Sequence, residues 1–221
     1  MDVLEAIAHR QSVRRFLNKP VPMPLIQQIL EHARFAPSGV NTQPWKVVVV
    51  GPNTIQRIGD AIIPLREQGV EPNPDYQYYP KQWVEPYKQR RKDCGAALYG
   101  ALNIQHSDAE KRKAAWYRNY YFFEAPWGLL FFVDKNLDTG SWLDCGLFIQ
   151  NCMLAARGLG LETCPQASLS EYPDVVRKLV QVSSDQDLIC GMAVGYADWS
   201  DPINQYRTTR EPVESFTTWL D

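Results

Sequence analysis

Three stretches of this chain are apolar on both faces of a would-be strand. They limit the fold more than any other feature. Trp45 to Val50 contains four consecutive valines, and Gly128 to Val133 and Leu188 to Val194 are similarly apolar. Such strands need cover on both sides, because an exposed face would leave apolar surface in water. The intervening segments read as helices, so the cover is helical. Interleaved helices and buried strands, with no repeat and no low-complexity linker, give one α+β domain over residues 1–221.

The helices are read from apolar periodicity. Asp2 to Arg10 is a short helix with Val3, Leu4, Ile7 and Ala8 on one face. A second starts at Pro24 and stops near Ala36, because Pro37 disfavours helical geometry before it. Residues 54–69 form a third, and a fourth passes through Ala96, Leu98, Tyr99 and Leu102. Ser107-Asp108-Ala109-Glu110 is a capping box that opens a fifth. Gly140 to Arg157 is apolar nearly all round and is expected to be a central, buried helix. A short strand or turn follows at Leu159 to Thr163, then a loop at Cys164 to Ser168 and a helix at Pro173 to Val180.

Two segments do not fit this pattern. Residues 71–92 alternate four prolines with Tyr76, Tyr78, Tyr79, Trp83 and Tyr87, too long and Pro-rich for an ordinary connection. Residues 71–123 are therefore expected to form a substrate lid or helical insertion, ending in the aromatic run Trp116 to Phe123. Residues 197–221 have little periodicity, and a tail this long suits wrapping over a partner subunit.

Composition excludes several functions. A formal charge of -2 argues against a nucleic-acid binder working through a basic field. The longest apolar run, Gly128 to Val133, is far short of a membrane span. The N-terminus lacks the basic and apolar segments of a secretory signal, so a cytoplasmic location is expected. Five cysteines without a C-x-x-C pair fit inert thiols better than disulfides or a zinc site. Gly158-Leu159-Gly160-Leu161 lacks the third glycine of a dinucleotide fingerprint and follows a helix. Gly95 and Gly100 lack the Lys-Ser/Thr of a phosphate loop. Three isolated histidines and the lack of a G-x-S-x-G leave common hydrolytic chemistry without machinery.

Three polar clusters remain. Arg10-Gln11-Ser12-Val13-Arg14-Arg15 offers guanidinium forks and a hydroxyl, the groups that match phosphate oxygens. It follows a helix C-terminus, where the macrodipole repels anions, so side chains would have to bind one. Pro37 to Trp45 places Ser, Gly, Asn, Thr and Gln between two prolines, suited to a polar planar ligand edge. Arg207-Thr208-Thr209-Arg210 lies late in the tail. Taken alone, the first cluster reads better as a solvated basic turn, the second equally as an ordinary turn and the third equally as a solvated tail.

Taken in order, the clusters resemble one family. Arg10-Gln11-Ser12-Val13-Arg14, Ala36-Pro37-Ser38-Gly39-Val40-Asn41-Thr42-Gln43-Pro44-Trp45, Glu124-Ala125-Pro126, Gly158 to Gln166 and the tail arginines together are similar to the FMN-dependent nitroreductases, most of all the nitrobenzoate reductase group. The resemblance spans roughly residues 3–212. It implies a central mixed sheet flanked by helices, in an intertwined homodimer with FMN at the interface. It implies that Arg10, Gln11 and Ser12 hold the phosphate and ribityl chain, with Arg14 near the pyrimidine edge or phosphate. Arg207 and Arg210 would close over the phosphate. Pro37, Ser38 and Gly39 would come from the partner, with Asn41 and Gln43 bracing that loop or the flavin. Pro165, Gln166 and Ala167 would lie along the isoalloxazine, with a backbone N–H of Gln166 or Ala167 facing N5.

The implied activity is a flavin reductase cycle. NAD(P)H reduces FMN, and a nitroaromatic, quinone or related acceptor then takes the electrons. No side-chain acid or base and no metal is required, because the flavin carries the chemistry. Tyr79, Trp83, Tyr87, Tyr120 and Phe123 are candidates for a substrate-stacking wall, and Lys81, Lys88, Arg90, Arg91 and Lys92 would favour an anionic acceptor. Dehalogenation, enone reduction, oxidase chemistry and flavin binding without turnover remain open alternatives, as does core packing for the aromatics.

Overall fold

The computed structural model describes all residues, 1–221. In chain order the elements are α1 Val3–His9, α2 Met23–Ala33, β1 Lys46–Val50, α3 Pro52–Glu67, α4 Tyr87–Ala101, α5 Ala109–Tyr117, β2 Trp127–Asp134, α6 Thr139–Gly158, β3 Glu162–Gln166, α7 Pro173–Val180 and β4 Gln186–Gly195. Local chemistry explains most boundaries. Asp2 caps α1 by accepting from the amides of Leu4 and Glu5 at 2.7 and 3.0 Å. Asp138 caps α6, and α2, α3 and α7 each carry proline in the first turn.

The four strands form one sheet in the order β1-β2-β4-β3, every pair antiparallel. The expected mixed character reduces to a single parallel bridge, Ser12 to Thr163, on the outer edge of β3. Both faces are covered. One core packs Ile55, Ile58 and Ile62 of α3 against Leu130, Phe132 and Leu188 of the sheet. The other packs Ile26 and Ile29 of α2 and Phe148, Cys152 and Ala156 of α6 against Leu129, Phe131 and Met192. Alternate residues of β2 thus enter different cores, as a period-2 strand requires.

Several expectations are corrected. Residues 87–92 are the first turns of α4, because Pro86 is the last proline and good helix formers follow. The capping box does not form. Asp108 sits at the N-cap of α5 and its carboxylate accepts from the Gln105 amide instead. The loop expected at Cys164 to Ser168 is largely strand β3, which begins later than the Leu159 to Thr163 segment proposed for it. Its pairing with β4 decides this, and no local pattern announces it.

The helix α6 is not buried all round. Leu143 is 68% exposed and Leu147 40%, although Cys152 and Ala156 are fully covered. Nothing else in the chain covers that outer stripe. The tail also divides. Ala197 bridges Phe16, and Ile203 and Asn204 are buried, so residues 197–206 belong to their own chain. Beyond them Phe216, Trp219 and Leu220 are 70, 80 and 90% exposed. No helix is long and apolar enough to cross a membrane.

One turn positions much of the interior. Residues Phe122, Phe123 and Glu124 all have positive φ, between 50 and 60°. Consecutive left-handed residues are costly without glycine and persist only where packing dictates them. Here Phe122 is driven fully into the core against the Cα of Gly128, where a Cβ would lie 2.5 Å from its ring. Only glycine permits that approach.

Candidate active site

The parallel bridge builds the site. It pairs Ser12 with Thr163, with the Val13 amide donating to the Thr163 carbonyl at 3.0 Å. This sets Ser12-Val13-Arg14 alongside Thr163-Cys164-Pro165, two segments about 150 residues apart in sequence. The tail locks the arrangement. The buried Asn204 accepts from the Arg14 amide at 2.9 Å and donates to the carbonyls of Arg15 and Asp198 at 2.7 and 2.8 Å. The Gln11 side chain donates to the Asn204 carbonyl, and Arg14 donates to the Tyr206 hydroxyl at 2.9 Å.

Two adjoining cavities result, and Arg14 lines both. The first, about 520 Å³, is bounded by Arg10, Gln11, Ser12, Arg14, Arg207 and Arg210. Four arginines from two of the sequence clusters therefore converge from positions nearly 200 residues apart. None of these four arginines has a carboxylate partner. Burial, then the neighbouring Arg210 and Arg207, hold the Arg10 guanidinium below its usual range. The nearby Glu162 does not neutralise the group, because it is ion-paired with Arg157. Uncompensated, converging guanidiniums in a half-buried cavity constitute an anion site.

The second cavity, about 160 Å³, is mostly apolar. Pro165, Gln166 and Ala167 form one wall, and Tyr79, Leu98, Tyr99, Trp116 and Phe123 face it. Gln166 is buried; its amide nitrogen donates to the Asn119 carbonyl at 2.7 Å, while its Oε1 has no donor. An apolar slot with one unanswered acceptor, opening beside an anion site, matches a flat ring with polar edges joined to a phosphate.

The remaining candidates divide. Tyr79 and Phe123 line the slot. Trp83 stands behind Tyr79 with ring centroids 5.7 Å apart, and Tyr87 is exposed. Tyr120 is a correction: it is sealed in the core, and its hydroxyl donates to Glu171 at 2.8 Å and accepts from Arg66 at 3.1 Å. Sequence periodicity across a distorted turn could not separate it from Phe123. Of the basic set, Arg90 pairs with Glu211 and Arg91 lies over the Trp83 ring.

Pro37, Ser38, Gly39, Asn41 and Gln43 line neither cavity of this chain. Their loop is nonetheless rigid in design. The Gln43 amide donates to Ser38 Oγ at 3.0 Å, its side chain donates to the Asn41 carbonyl, and the Gly39 amide donates to Asp144 of α6. Val40, Asn41 and Gln43 have positive φ, and Val40 is 98% exposed. Asn204, Tyr206 and Cys94 were missed in the sequence. Asn204 sits in an Asp201-capped turn that carries no chemical signature by itself.

Comparison with known proteins agrees with this geometry. The Nitroreductase family model matches residues 7–196. The chain is 36% identical over 214 residues to a 4-nitrobenzoate reductase of Pseudomonas putida, covering 97% of this chain and 93% of that protein. It is 37% identical over 217 residues to a nitrobenzene nitroreductase of Ectopseudomonas oleovorans, covering 98% and 96%. Its fold is similar to the crystal structure of the FMN and NADPH-dependent nitroreductase NfnB from a Sphigopyxis strain, with TM-score 0.97, 35% identity and full coverage of both chains. NfnB from Mycobacterium smegmatis, solved in complex with NADPH, gives TM-score 0.92 at 30% identity, again with full coverage of both. The chain belongs to the nitroreductase family.

Proposed function

We propose that this protein is an FMN-dependent oxidoreductase that uses NAD(P)H to reduce nitroaromatic or quinone acceptors. The observation that carries the reading is the arginine cavity joined to the apolar slot, with no acid or base aligned for another chemistry. Bound FMN would supply hydride and electron transfer between reductant and acceptor. Arg10, Arg207 and Arg210 would hold its phosphate, with Gln11 and Ser12 adding uncharged donors. Pro165, Gln166 and Ala167 would support the ring, and the Gln166 Oε1 would accept from a polar ring edge. Tyr79 and Phe123 would stack with the acceptor and exclude water.

The site is completed by a second copy of the chain. The loop carrying Pro37, Ser38 and Gly39 projects outward, as a partner's contribution would require. The exposed stripe of α6, the exposed Leu4 and Ile7 of α1, and the apolar end of the tail are together more uncovered apolar side chain than a monomer normally leaves in water. The outer edge of β1 is open and offers backbone groups to an extended tail.

The decisive experiment is an absorption spectrum of the purified protein, followed by anaerobic NADH and NADPH titrations and an acceptor panel. A yellow protein that is bleached by NAD(P)H and recoloured by a nitroaromatic is expected. A colourless protein that gains no activity with added FMN refutes the proposal.

A further inference from the structure

We propose that Arg157 is a positioning residue for the arginine cavity: it holds the Glu162 carboxylate away from Arg10 and Arg207, and so keeps those guanidiniums free for a phosphate. The inference rests on the FMN reading above and adds to it a residue that lines neither cavity. Arg157 stands in the last turn of α6, and Glu162 opens β3. The chain reverses between them at Gly160, whose φ is +76°. The fully buried Leu161 pins that turn by donating its amide to the Ala156 carbonyl at 2.9 Å. The two charged side chains meet as an ion pair, 13 and 12% exposed. Arg157 has no second carboxylate and its Nε is buried without an acceptor, so Glu162 alone holds it.

A carboxylate in this place threatens an anion site. Glu162 immediately precedes Thr163, the residue bridged to Ser12, so β3 carries it along the segment that bears Arg10. Its one side-chain hydrogen bond is to Arg157. Burial pushes the Glu162 carboxyl up, and the groups that oppose this are Arg157 first, then Arg10 and Arg207. A poorly solvated carboxylate needs a charged partner. Without Arg157 the cations left to compensate it are Arg10 and Arg207, two of the three that converge with Arg210 on the cavity. Glu162 would then compete for the guanidinium forks that a phosphate needs, and its charge would repel the dianion.

The test titrates FMN, and riboflavin, which lacks the phosphate, into apoprotein of wild type, Arg157→Met, Glu162→Gln and the double variant, following flavin fluorescence. Wild type should prefer FMN to riboflavin. Arg157→Met should weaken FMN at least about tenfold, the scale of one lost charge-assisted hydrogen bond, and leave riboflavin unchanged. Glu162→Gln should bind FMN at least as tightly as wild type, and the double variant should regain wild-type affinity. A purely structural ion pair gives the opposite pattern, with losses shared by both flavins and no rescue. The proposal is overturned if Arg157→Met keeps wild-type FMN affinity, if the double variant stays as weak as Arg157→Met, or if Glu162→Gln alone weakens FMN. If Arg157→Met does not fold, the double variant decides: wild-type FMN affinity supports the proposal and weakened binding overturns it. If wild type binds both flavins equally, the phosphate reading fails and the proposal with it. If wild type prefers FMN and Arg157→Met does so equally, the proposal alone fails.

Discussion

Arg10→Ala separates a ligand-binding arginine from a structural one. In this structure Arg10 makes no ion pair and no side-chain hydrogen bond, while Arg210 and Arg207 face it across the cavity. Removing it breaks no side-chain hydrogen bond or ion pair and relieves repulsion, so the FMN-free protein should unfold at about the same temperature. With FMN bound the balance reverses. Loss of a charge-assisted hydrogen bond to phosphate costs about 1.5–3 kcal/mol. At about 1.4 kcal/mol per decade, that is roughly a 10- to 140-fold weaker Kd. Quenching of FMN fluorescence on titration into apoprotein measures the constant, and thermal unfolding without FMN measures the control. Arg14→Ala is the counterpart: Arg14 donates to Tyr206 and to the Ser12 carbonyl, so its loss should lower apoprotein stability as well. An Arg10→Ala protein with wild-type FMN affinity would refute the phosphate assignment. One that is clearly destabilised without FMN would refute the claim that Arg10 is held for a ligand.

Other consequences are direct. Gly128→Ala should destabilise the fold by about 1–3 kcal/mol, because the new methyl meets the Phe122 ring at 2.5 Å and Val50 at 2.8 Å; chemical denaturation reads this. Asp75 accepts two bonds from Arg177, both side chains being at most 7% exposed, so Asp75→Leu should cost about 3–5 kcal/mol and open residues 71–86 to limited proteolysis. Deleting residues 211–221 should leave a folded chain, since the ion pair it removes, Arg90–Glu211, is half-exposed and the buried tail residues Ile203 and Asn204 remain, but abolish the dimer in light scattering. Iodoacetamide at pH 8 should label Cys94 alone: burial pushes Cys145 and Cys190 up to about 12, and Cys152 and Cys164 are also raised. FMN should slow that labelling, because Cys94 lines the arginine cavity.

Legibility in the sequence followed the range of the interaction. The valine run of β1 and the apolar run of β2 were readable, because two-sided burial leaves a local mark. So were α1 and α2, whose starts are marked by Asp2 and Pro24, although α2 stops at Ala33, short of the limit set by Pro37. The extent of β3 was not, because Glu-Thr-Cys-Pro-Gln becomes a strand only through β4. The arginines of the site were visible as residues, and their resemblance to a family ordered them. Their convergence was not visible.

The sequence by itself determined the α+β class, the covered strands and the residue types of the site, all consequences of periodicity and local backbone restriction. The tertiary structure alone decided which aromatic faces the slot and which is sealed in the core. Phe123 and Tyr120 lie in one run, and three left-handed residues, permitted by Gly128, turn them to different surroundings. It also decided that α6 keeps an exposed apolar stripe and that the tail is buried in its own chain at Ile203 and Asn204 but not at Phe216, Trp219 or Leu220. Those outcomes depend on what packs against each residue from elsewhere in the chain, which no local pattern encodes.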